Sequence, residues 1–176
     1  MTRHKRRRVL QSPEFKAAIL ENIYRMFVVV SLAACAAVAS AQTPGAAQTA
    51  VVAAVHQFVD GFNKGDMKIM AASCAEQASI LDEFSPHEWH GAGACAKWAG
   101  DYDADAKKNG ITDGVVTLST PTHVDVTGDR ACVVVPANYS FKLKGKPVSE
   151  VGSIITLALQ KSPGGWRITG WAWAKH

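Results

Sequence analysis

Apolar residues recur at helical spacing in three segments of the chain, and this pattern predicts three helices. The first stripe consists of Val51, Val52, Val55, Phe58, Val59 and Phe62, and the sequence Asn-Lys-Gly at residues 63–65 ends it. Asp66 is a favourable N-cap for a second helix, whose inner face carries Met67, Met70, Ala71 and Cys74. The third helix ends at Asn109-Gly110, and its apolar stripe consists of Cys95, Trp98, Ala99, Tyr102 and Ala106.

Alternating polarity predicts strands on both sides of the third helix. Residues 78–84 change from the helical period to the strand period, Pro86 interrupts them, and residues 88–90 can pair back as a short arm. Four long strands separated by tight turns follow the third helix, at residues 115–126, 131–143, 148–160 and 166–174. Short turns between consecutive strands favour an antiparallel meander.

Three helices followed by long strands predict an α+β fold of one domain, because 176 residues are too few for two comfortable domains. In the last strand, Trp166 and Ile168 differ in parity from Trp171 and Trp173, so a bulge near Gly170 would return all four to one face. We therefore expect three N-terminal helices packed on a strongly curved antiparallel sheet that forms a conical cavity. Such a cavity is a common place for a small-molecule site.

The net charge of +4 does not predict a nucleic-acid partner, because the excess of basic residues lies at the N-terminus. Residues 1–41 carry seven Lys and Arg against two Glu, and residues 42–176 carry 12 basic and 13 acidic residues. The globular part is thus nearly neutral and lacks the clustered positive face that phosphate binding requires.

The basic start, the apolar run at residues 26–38 and the small residues Ala39-Ser40-Ala41 are typical of a signal peptide. We expect residues 1–41 to be an export signal, residues 42–48 a flexible lead-in and residues 49–176 the folded domain, placing the protein in the periplasm or outside the cell. Three alternatives are an N-terminal helix retained as an anchor, lipid anchoring at Cys35, and a true start at Met26 instead of Met1.

Three cysteines remain once Cys35 leaves with the signal, and an exported chain meets oxidising conditions. Cys74 is predicted to end a helical stretch and Cys95 to lie in the first turn of the next helix, so these two form the favoured disulfide pair. Cys132 lies in a strand, where a buried thiol is expected. No cysteine spacing resembles a zinc site, and we expect no metal and no cofactor.

The stretch at residues 78–102 holds the densest group of titratable residues in apolar surroundings, and we expect it to form one rim of a pocket. Asp82, Glu83, His87, Glu88 and His90 fall within nine residues. Asp82 is either a pocket base or a carboxylate that accepts hydrogen bonds from backbone at a strand end. Glu83 should point the other way, into solvent or toward a Lys or Arg.

The remaining expectations for this site concern the lining of the pocket. His90 is expected to be a polar lining residue, whereas a metal held by His87, His90 and Asp82 is disfavoured. The other expected lining residues are Trp98, Tyr102, Tyr139, Trp171 and Trp173. Asp101 and Asp105 superficially match a calcium loop, but that loop needs a glycine at the position of Ala106, so they are interpreted as a solvated helix face.

The order of elements resembles the nuclear transport factor 2-like, or SnoaL-like, cone fold over residues 49–175. The resemblance rests on FVDGFNKGD at residues 58–66, on residues 78–84 with His90-Gly91 beyond, and on GGWRI at residues 164–168. Residues 75–82 are similar to the ketosteroid isomerase segment that carries the catalytic aspartate, which implies that role for Asp82. The same comparison puts Phe58 and Ile155 where that enzyme has its oxyanion-hole donors, so ketosteroid isomerisation is not expected.

Three functions are compatible with these features. The first is an exported SnoaL-like domain that binds a small apolar molecule in its cavity. The second is an isomerase-, lyase- or cyclase-type enzyme that uses Asp82 as general base, helped by His90 or Tyr139. The third is a homodimeric interaction module that pairs through its sheet face.

Overall fold

The computed structural model describes residues 45–175, which form three helices and seven strands. The helices are α1 (Ala46–Asn63), α2 (Met67–Ala72) and α3 (Ala94–Asn109). The strands are β1 (Cys74–Leu81), β2 (Glu88–Ala92), β3 (Ile111–Leu118), β4 (His123–Thr127), β5 (Arg130–Leu143), β6 (Lys146–Ser162) and β7 (Gly165–Ala174). The predicted α+β fold class and the three helices are confirmed. The predicted signal peptide lies outside the described residues.

Local side-chain contacts explain where the helices begin and end. Helix α1 starts at Ala46, inside the segment expected to be a flexible lead-in, and the Gly45 N–H donates to Oε1 of Gln48. Helix α2 begins after Asp66, whose Oδ1 accepts a hydrogen bond from the Ile69 N–H at 2.9 Å, as the N-cap prediction requires. Gly110 caps α3 in the left-handed conformation with φ 72°. None of these helices is long and apolar enough to cross a membrane.

The sheet has the strand order β2-β1-β7-β6-β5-β3, and β4 pairs with β5 beside β3. The predicted antiparallel meander is present from β3 to β7, and the predicted short arm pairs with β1 as β2. One pairing differs from the expectation: β1 runs parallel to β7, so the sheet is mixed. Turn lengths predict only the pairing of consecutive strands, and they say nothing about the first and last strands of the sheet.

Several element boundaries also differ from the prediction. The first strand covers Cys74–Leu81 instead of residues 78–84, and β3 begins at Ile111 instead of residue 115. Residues 115–126 do not form one strand, because β3 ends at Leu118 and β4 begins at His123. Pro121 lies in the interruption, and a proline has no N–H to donate to the ladder. Cys74 does not end a helix, since α2 stops at Ala72 and Cys74 opens β1.

The predicted bulge in β7 is present. Ala158 faces Gly170 while its neighbour Leu159 faces Ile168, so Thr169 is the extra residue. Trp166, Ile168 and Trp171 are therefore all buried on the inner face. Gly170 is also a point of close approach, since a Cβ there would lie 2.9 Å from the backbone oxygen of Ser79 on β1.

One end of the domain is packed with aliphatic side chains. Helix α1 packs against β3, β4 and β7, and α3 packs against β1, β2 and β3. The fully buried residues of this closed end are Val51, Val55, Val133, Val135, Leu157, Leu159 and Ile168. At the other end the helices and the sheet leave an open cavity, whose walls are formed by α1, α3 and the inner face of β3, β5, β6 and β7.

Candidate functional site

The cavity has a volume of about 340 Å³ and is lined mainly by aromatic rings. The aromatic lining residues are Phe58, Phe62, Phe84, Trp98, Tyr102, Tyr139, Phe141, Trp171 and Trp173. All five aromatic residues expected from the sequence to line the pocket (Trp98, Tyr102, Tyr139, Trp171 and Trp173) do so. A cavity of this size with such walls suits a small, largely apolar molecule.

The rings form one packed network, with Trp98 of α3 near its centre. Trp98 stacks on Tyr102 with 5.5 Å between ring centroids and meets the edge of Trp171 at 4.9 Å. Tyr139 stacks on Phe141 at 4.8 Å on the opposite wall. Each such pair adds about 0.5–1.5 kcal/mol beyond its buried area. The walls are therefore held in place without a ligand.

Asp82 lies in the cavity wall directly after β1. Its Oδ2 accepts a hydrogen bond from the Trp98 indole N–H at 2.8 Å, and its Oδ1 accepts one from the Glu83 backbone N–H at 2.7 Å. Burial raises the pKa of Asp82 above its usual value, and the two hydrogen bonds oppose that rise only in part. The carboxylate borders the cavity, and it accepts a backbone hydrogen bond at a strand end, as the second interpretation offered for it expects.

Two tyrosines face each other across the cavity. Tyr102 of α3 and Tyr139 of β5 share a hydrogen bond between their hydroxyl groups. Burial raises the pKa of both, so both stay protonated at neutral pH. The hydrogen bond between them uses one of the two phenolic protons, and the other proton is available to an acceptor.

Gly114 makes room for this tyrosine pair. A Cβ at this position would lie 2.8 Å from the Tyr139 hydroxyl oxygen and 3.0 Å from that of Tyr102. Real Cβ atoms do not approach so closely, so any side chain at position 114 must displace the pair. Strand β3 is irregular at this point, since the pairing with β5 shifts between Thr112 and Val115.

A second carboxylate, Glu150, reaches the cavity because of a bulge in β6. Ser153 faces Ala137 and Glu150 faces Tyr139, so Val151 and Gly152 together oppose the single residue Asn138. The Gly152 N–H donates to Oδ1 of Asn138 at 3.0 Å, and Gly152 adopts φ 83°. Without the extra residue the alternation would place Val151 inside. With it, Val151 is 71% exposed and Glu150 lines the cavity.

An ion-pair cluster joins Glu150 to the rim of the cavity. The Lys175 ammonium lies 2.9 Å from Oε1 of Glu150 and 2.9 Å from Oε2 of Glu83. The hydrogen bond with Glu83 is the main reason that the pKa of Lys175 is raised. Glu83 was expected to point away from the pocket, and that expectation is wrong, because the residue lines the cavity. The expected pairing with a Lys or Arg is present, with Lys175 as the partner.

Two buried polar atoms in residues that line the cavity have no hydrogen-bond partner. They are Nε1 of Trp171, whose residue is 5% exposed, and Oε2 of Glu150. A third such atom, Oγ of Ser153, belongs to a residue outside the lining. A buried unpaired donor or acceptor costs about 1–3 kcal/mol, so a ligand group that displaces the side chains covering one of these atoms and pairs with it recovers that free energy.

Two further expectations about this site are wrong. His90 does not line the cavity, because β2 alternates and turns Trp89 inward and His90 outward, toward Ser79 and Glu88. Asp105 is not part of a solvated face, since it is half-buried and lines the cavity. His87 is exposed in the turn between β1 and β2.

The cysteines lie beside the site. The structure joins Cys74 at the start of β1 to Cys95 in the first turn of α3, the pair expected from the sequence. Cys132 is a free thiol on β5, and it is half-buried instead of buried as expected, because the inward positions of the strand are those of Ala131 and Val133. Within residues 45–175, no three His, Cys, Asp or Glu side chains are grouped as metal ligands would be.

Sequence reasoning missed several lining residues. Glu150, Lys175, Asp105, Phe62, Phe84 and Phe141 were not predicted to line the pocket. For Glu150 a signal was present, because a glycine inside a strand, such as Gly152, often marks a bulge. For Lys175 the sequence carried no such signal. The residue follows β7, and its place at the cavity depends on the pairing of β7 with β1.

The fold and cavity agree with a comparison against protein families. The chain belongs to the SnoaL-like domain family, whose model matches residues 51–172. The predicted resemblance is thereby confirmed. Phe58 and Ile155 line the cavity, so two positions where the resemblance to ketosteroid isomerase expects hydrogen-bond donors are apolar in this chain.

Solved structures share the fold at low sequence identity. A ketosteroid isomerase-like protein from Erwinia carotovora atroseptica is 17% identical with a TM-score of 0.59, over 74% of this chain and 97% of its own. A nuclear transport factor 2-like superfamily protein from Salmonella enterica serovar Typhimurium is 12% identical with a TM-score of 0.61, over 73% and 90% of the two chains.

A third similar structure extends further along this chain. It is a nuclear transport factor 2-like protein with a cystatin-like fold from Novosphingobium aromaticivorans, 15% identical with a TM-score of 0.60, over 94% of this chain and 91% of its own. No curated protein matches the sequence. At these identities the structural likeness shows the fold alone.

Proposed function

We propose that this SnoaL-like domain binds a small, largely apolar molecule in its cavity. The observation that supports this most directly is the aromatic cavity whose wall contains the unpartnered indole N–H of Trp171. A ligand with an apolar body and one hydrogen-bond acceptor would cover the rings and pair with that donor. Burial of apolar surface contributes about 25 cal/mol per Å² to the free energy of binding. A molecule that fills such a cavity therefore buries enough apolar surface to bind.

Native mass spectrometry tests this proposal on the protein as a cell makes it. The full chain is expressed in a host that exports it, purified, and weighed under native and then denaturing conditions. We expect a mass excess under native conditions that is absent after denaturation. A protein with no mass excess that also binds no member of a library of small apolar molecules would contradict the proposal.

Two neighbouring valines on β3 provide a matched pair of variants. Val116 lines the cavity, whereas Val115 is 44% exposed on the other face. Val116→Phe should fill part of the cavity and abolish the mass excess. Val115→Phe adds the same ring outside the cavity and should leave the excess unchanged. Equal effects of the two variants would show that the captured molecule lies elsewhere.

We propose a second function, acid–base catalysis on the bound molecule, which the contacts of Asp82 favour. A carboxyl group whose pKa is raised by burial can take a proton near neutral pH more readily than a solvated one can. The tyrosine pair offers a hydrogen-bond donor for a developing oxyanion. The two tyrosines lie at other positions of the chain than Phe58 and Ile155, which occupy the donor positions of ketosteroid isomerase. Isomerisation or elimination that begins with loss of a proton next to a carbonyl group fits these groups.

Hydrogen exchange separates catalysis from binding alone. The captured molecule is incubated with the protein in D₂O and its C–H signals are followed by NMR. Catalysis predicts that deuterium enters next to a carbonyl group with the native protein and about a hundredfold more slowly with Asp82→Asn. Tyr139→Phe should slow exchange less, because Tyr102 keeps its hydroxyl group. Equal exchange with the native protein and Asp82→Asn would eliminate Asp82 as the base.

We also propose that the domain functions after export, in the periplasm or outside the cell. The disulfide between Cys74 and Cys95 supports this, since such bonds persist in oxidising compartments. The mass of the purified chain tests it: export predicts a cut after Ala41, and a lipid on Cys35 would add a diacylglycerol mass. A full-length chain with free thiols would contradict the proposal.

A homodimer through the sheet is a further proposal, supported by apolar side chains exposed on β6. Val151 is 71% exposed and Ile154 is 42% exposed. A partner that covered them would remove apolar surface from water. Sedimentation velocity should find a dimer that Ile154→Lys dissociates, and a monomer at all concentrations would contradict the proposal.

A further inference from the structure

The charged residues around the cavity are unbalanced. Four carboxyl side chains line it, those of Asp82, Glu83, Asp105 and Glu150. Lys175 is the single lining residue with a basic side chain among those described, and its ammonium group already contacts both Glu83 and Glu150. Even with Asp82 protonated, the carboxylates outnumber the ammonium group.

The position of Glu150 makes this imbalance matter for a ligand. Its Oε1 binds Lys175, but its Oε2 is buried and has no hydrogen-bond partner. A carboxylate oxygen is an acceptor only, so its complement on a ligand is a donor, and the strongest donor is a cationic N–H group. Glu150 stands directly across from Tyr139 in the β5–β6 pairing, so its carboxylate adjoins the aromatic wall.

The aromatic walls favour the same kind of ligand. The faces of Trp and Tyr rings attract cations, and this attraction grows when the cation is removed from water. Trp98, Tyr102, Trp171 and Trp173 all lie in the lining. An anion would instead meet uncompensated carboxylates at short range, where screening by salt is weak.

We propose that the cavity selects an organic cation, such as a protonated amine on an apolar body, over an anion of the same shape, with Glu150 as its carboxylate partner. This inference rests on the proposed binding function and names the charge class of the ligand. The unpartnered Trp171 N–H then pairs with an acceptor elsewhere on the same ligand. The β6 bulge that turns Glu150 inward is the structural origin of the selectivity.

Three probes with one aromatic body measure the selectivity. Naphthylmethylammonium, naphthylmethanol and naphthylacetate are titrated into the protein purified from the full-length chain, by isothermal calorimetry at neutral pH. We expect the ammonium to bind at least about tenfold tighter than the carboxylate, with the neutral alcohol between them. Raising the salt concentration should shrink the ratio only slightly.

Two variants should change the ratio of ammonium affinity to carboxylate affinity in opposite directions. A loss of structure would not do this, because it would weaken the binding of both probes. Glu150→Gln should lower the preference for the ammonium by about fivefold or more. Lys175→Gln removes the compensating positive charge and should raise the preference for the ammonium by about threefold. Glu76→Gln is the matched control, because Glu76 is exposed on β1 and lies outside the lining, and it should leave the ratio unchanged.

The outcomes separate this inference from the function on which it rests. Equal affinities for the three probes, a preference for naphthylacetate, or a ratio unchanged in both cavity variants would overturn the charge selectivity while the binding function stands. Failure of all three probes to bind saturably would overturn both.

Discussion

The two ends of strands β5 and β6 serve different purposes, although the strands are continuous. At the closed end their inward side chains are Val133, Val135, Leu157 and Leu159, which are at most 1% exposed. Past the Ala137–Ser153 pair the inward positions become Tyr139 and Glu150, which border the cavity. The bulge at Val151 and Gly152 lies at this boundary. The same sheet therefore contributes aliphatic core residues at one end and the polar side chains of Tyr139 and Glu150 at the other. The bulge in β6 separates the two ends.

Because the closed end holds the fully buried aliphatic residues, we expect it to contribute more to stability than the open end does. Leu157→Ala should lower the free energy of unfolding by roughly 3 to 5 kcal/mol, because Leu157 is fully buried and truncation leaves a cavity. Thr156→Ala, on the outer face of the same strand, should cost less than about 1 kcal/mol. Urea unfolding measures both. A loss below 1 kcal/mol for Leu157→Ala would mean that the closed end is not tightly packed.

The disulfide between β1 and α3 should have the next largest effect. The two cysteines are separated by 21 positions, and opening a loop of this length costs about 3 kcal/mol through the entropy of the unfolded chain. The double variant Cys74→Ser and Cys95→Ser should show that loss in thermal unfolding. Cys132→Ser, at the free thiol, should change stability by less than about 1 kcal/mol. If reduction leaves the unfolding temperature unchanged, the bond does not stabilise the fold.

A smaller effect is expected at the open end, from the glycine that accommodates the tyrosine pair. Gly114→Ala should destabilise by about 1–2 kcal/mol, since the new methyl group meets the hydroxyl groups of Tyr102 and Tyr139. It should also weaken ligand binding. Gly100→Ala is the control: a Cβ there meets nothing within 4 Å in α3, and the change should stabilise by roughly 0.5–1 kcal/mol. Two variants that behaved alike would refute the close packing of the tyrosine pair.

The smallest expected effect is electrostatic and involves Asp82. Its pKa is raised in the folded state by burial, so between 3.8 and the folded pKa the native protein binds more protons than the unfolded chain does. The contribution of Asp82 to stability is therefore greatest below the unfolded pKa and declines as pH rises through the folded pKa. The Trp98 indole N–H signal, which reports on Oδ2 of Asp82, should titrate with a midpoint above 3.8.

A variant controls this titration. The same Trp98 signal should lose that transition in Asp82→Asn, because the amide does not ionise. A native midpoint at or below 3.8 would contradict the burial of this carboxyl group, and would weaken the case for Asp82 as a base.

Local patterns in the sequence were sufficient to predict most of the fold. Three local signals each correspond to a helix in the structure: the apolar stripe from Val51 to Phe62, the N-cap at Asp66 and the C-terminal glycine Gly110. The bulge at Gly170 followed from a change of parity within one strand. The failure with the largest effect on the fold was non-local: the parallel pairing of β1 with β7 depends on contacts between the first and last strands of the chain.

The site could be predicted only where side-chain direction was regular. The aromatic positions Trp98, Tyr102 and Tyr139 follow from the periods of α3 and β5, and they line the cavity. His90 failed because the register of β2 turns it outward. Glu150 was missed because the bulge that turns it inward breaks the alternation on which the prediction depended.

Five indole N–H signals test most directly whether the open end is the binding site. Trp98, Trp171 and Trp173 line the cavity, whereas Trp89 and Trp166 do not. In a ¹H–¹⁵N spectrum titrated with naphthylmethanol, we predict that the first three signals move along one saturable curve while the other two stay fixed. If the three cavity signals do not move, or if all five move together, the cavity is not the ligand site.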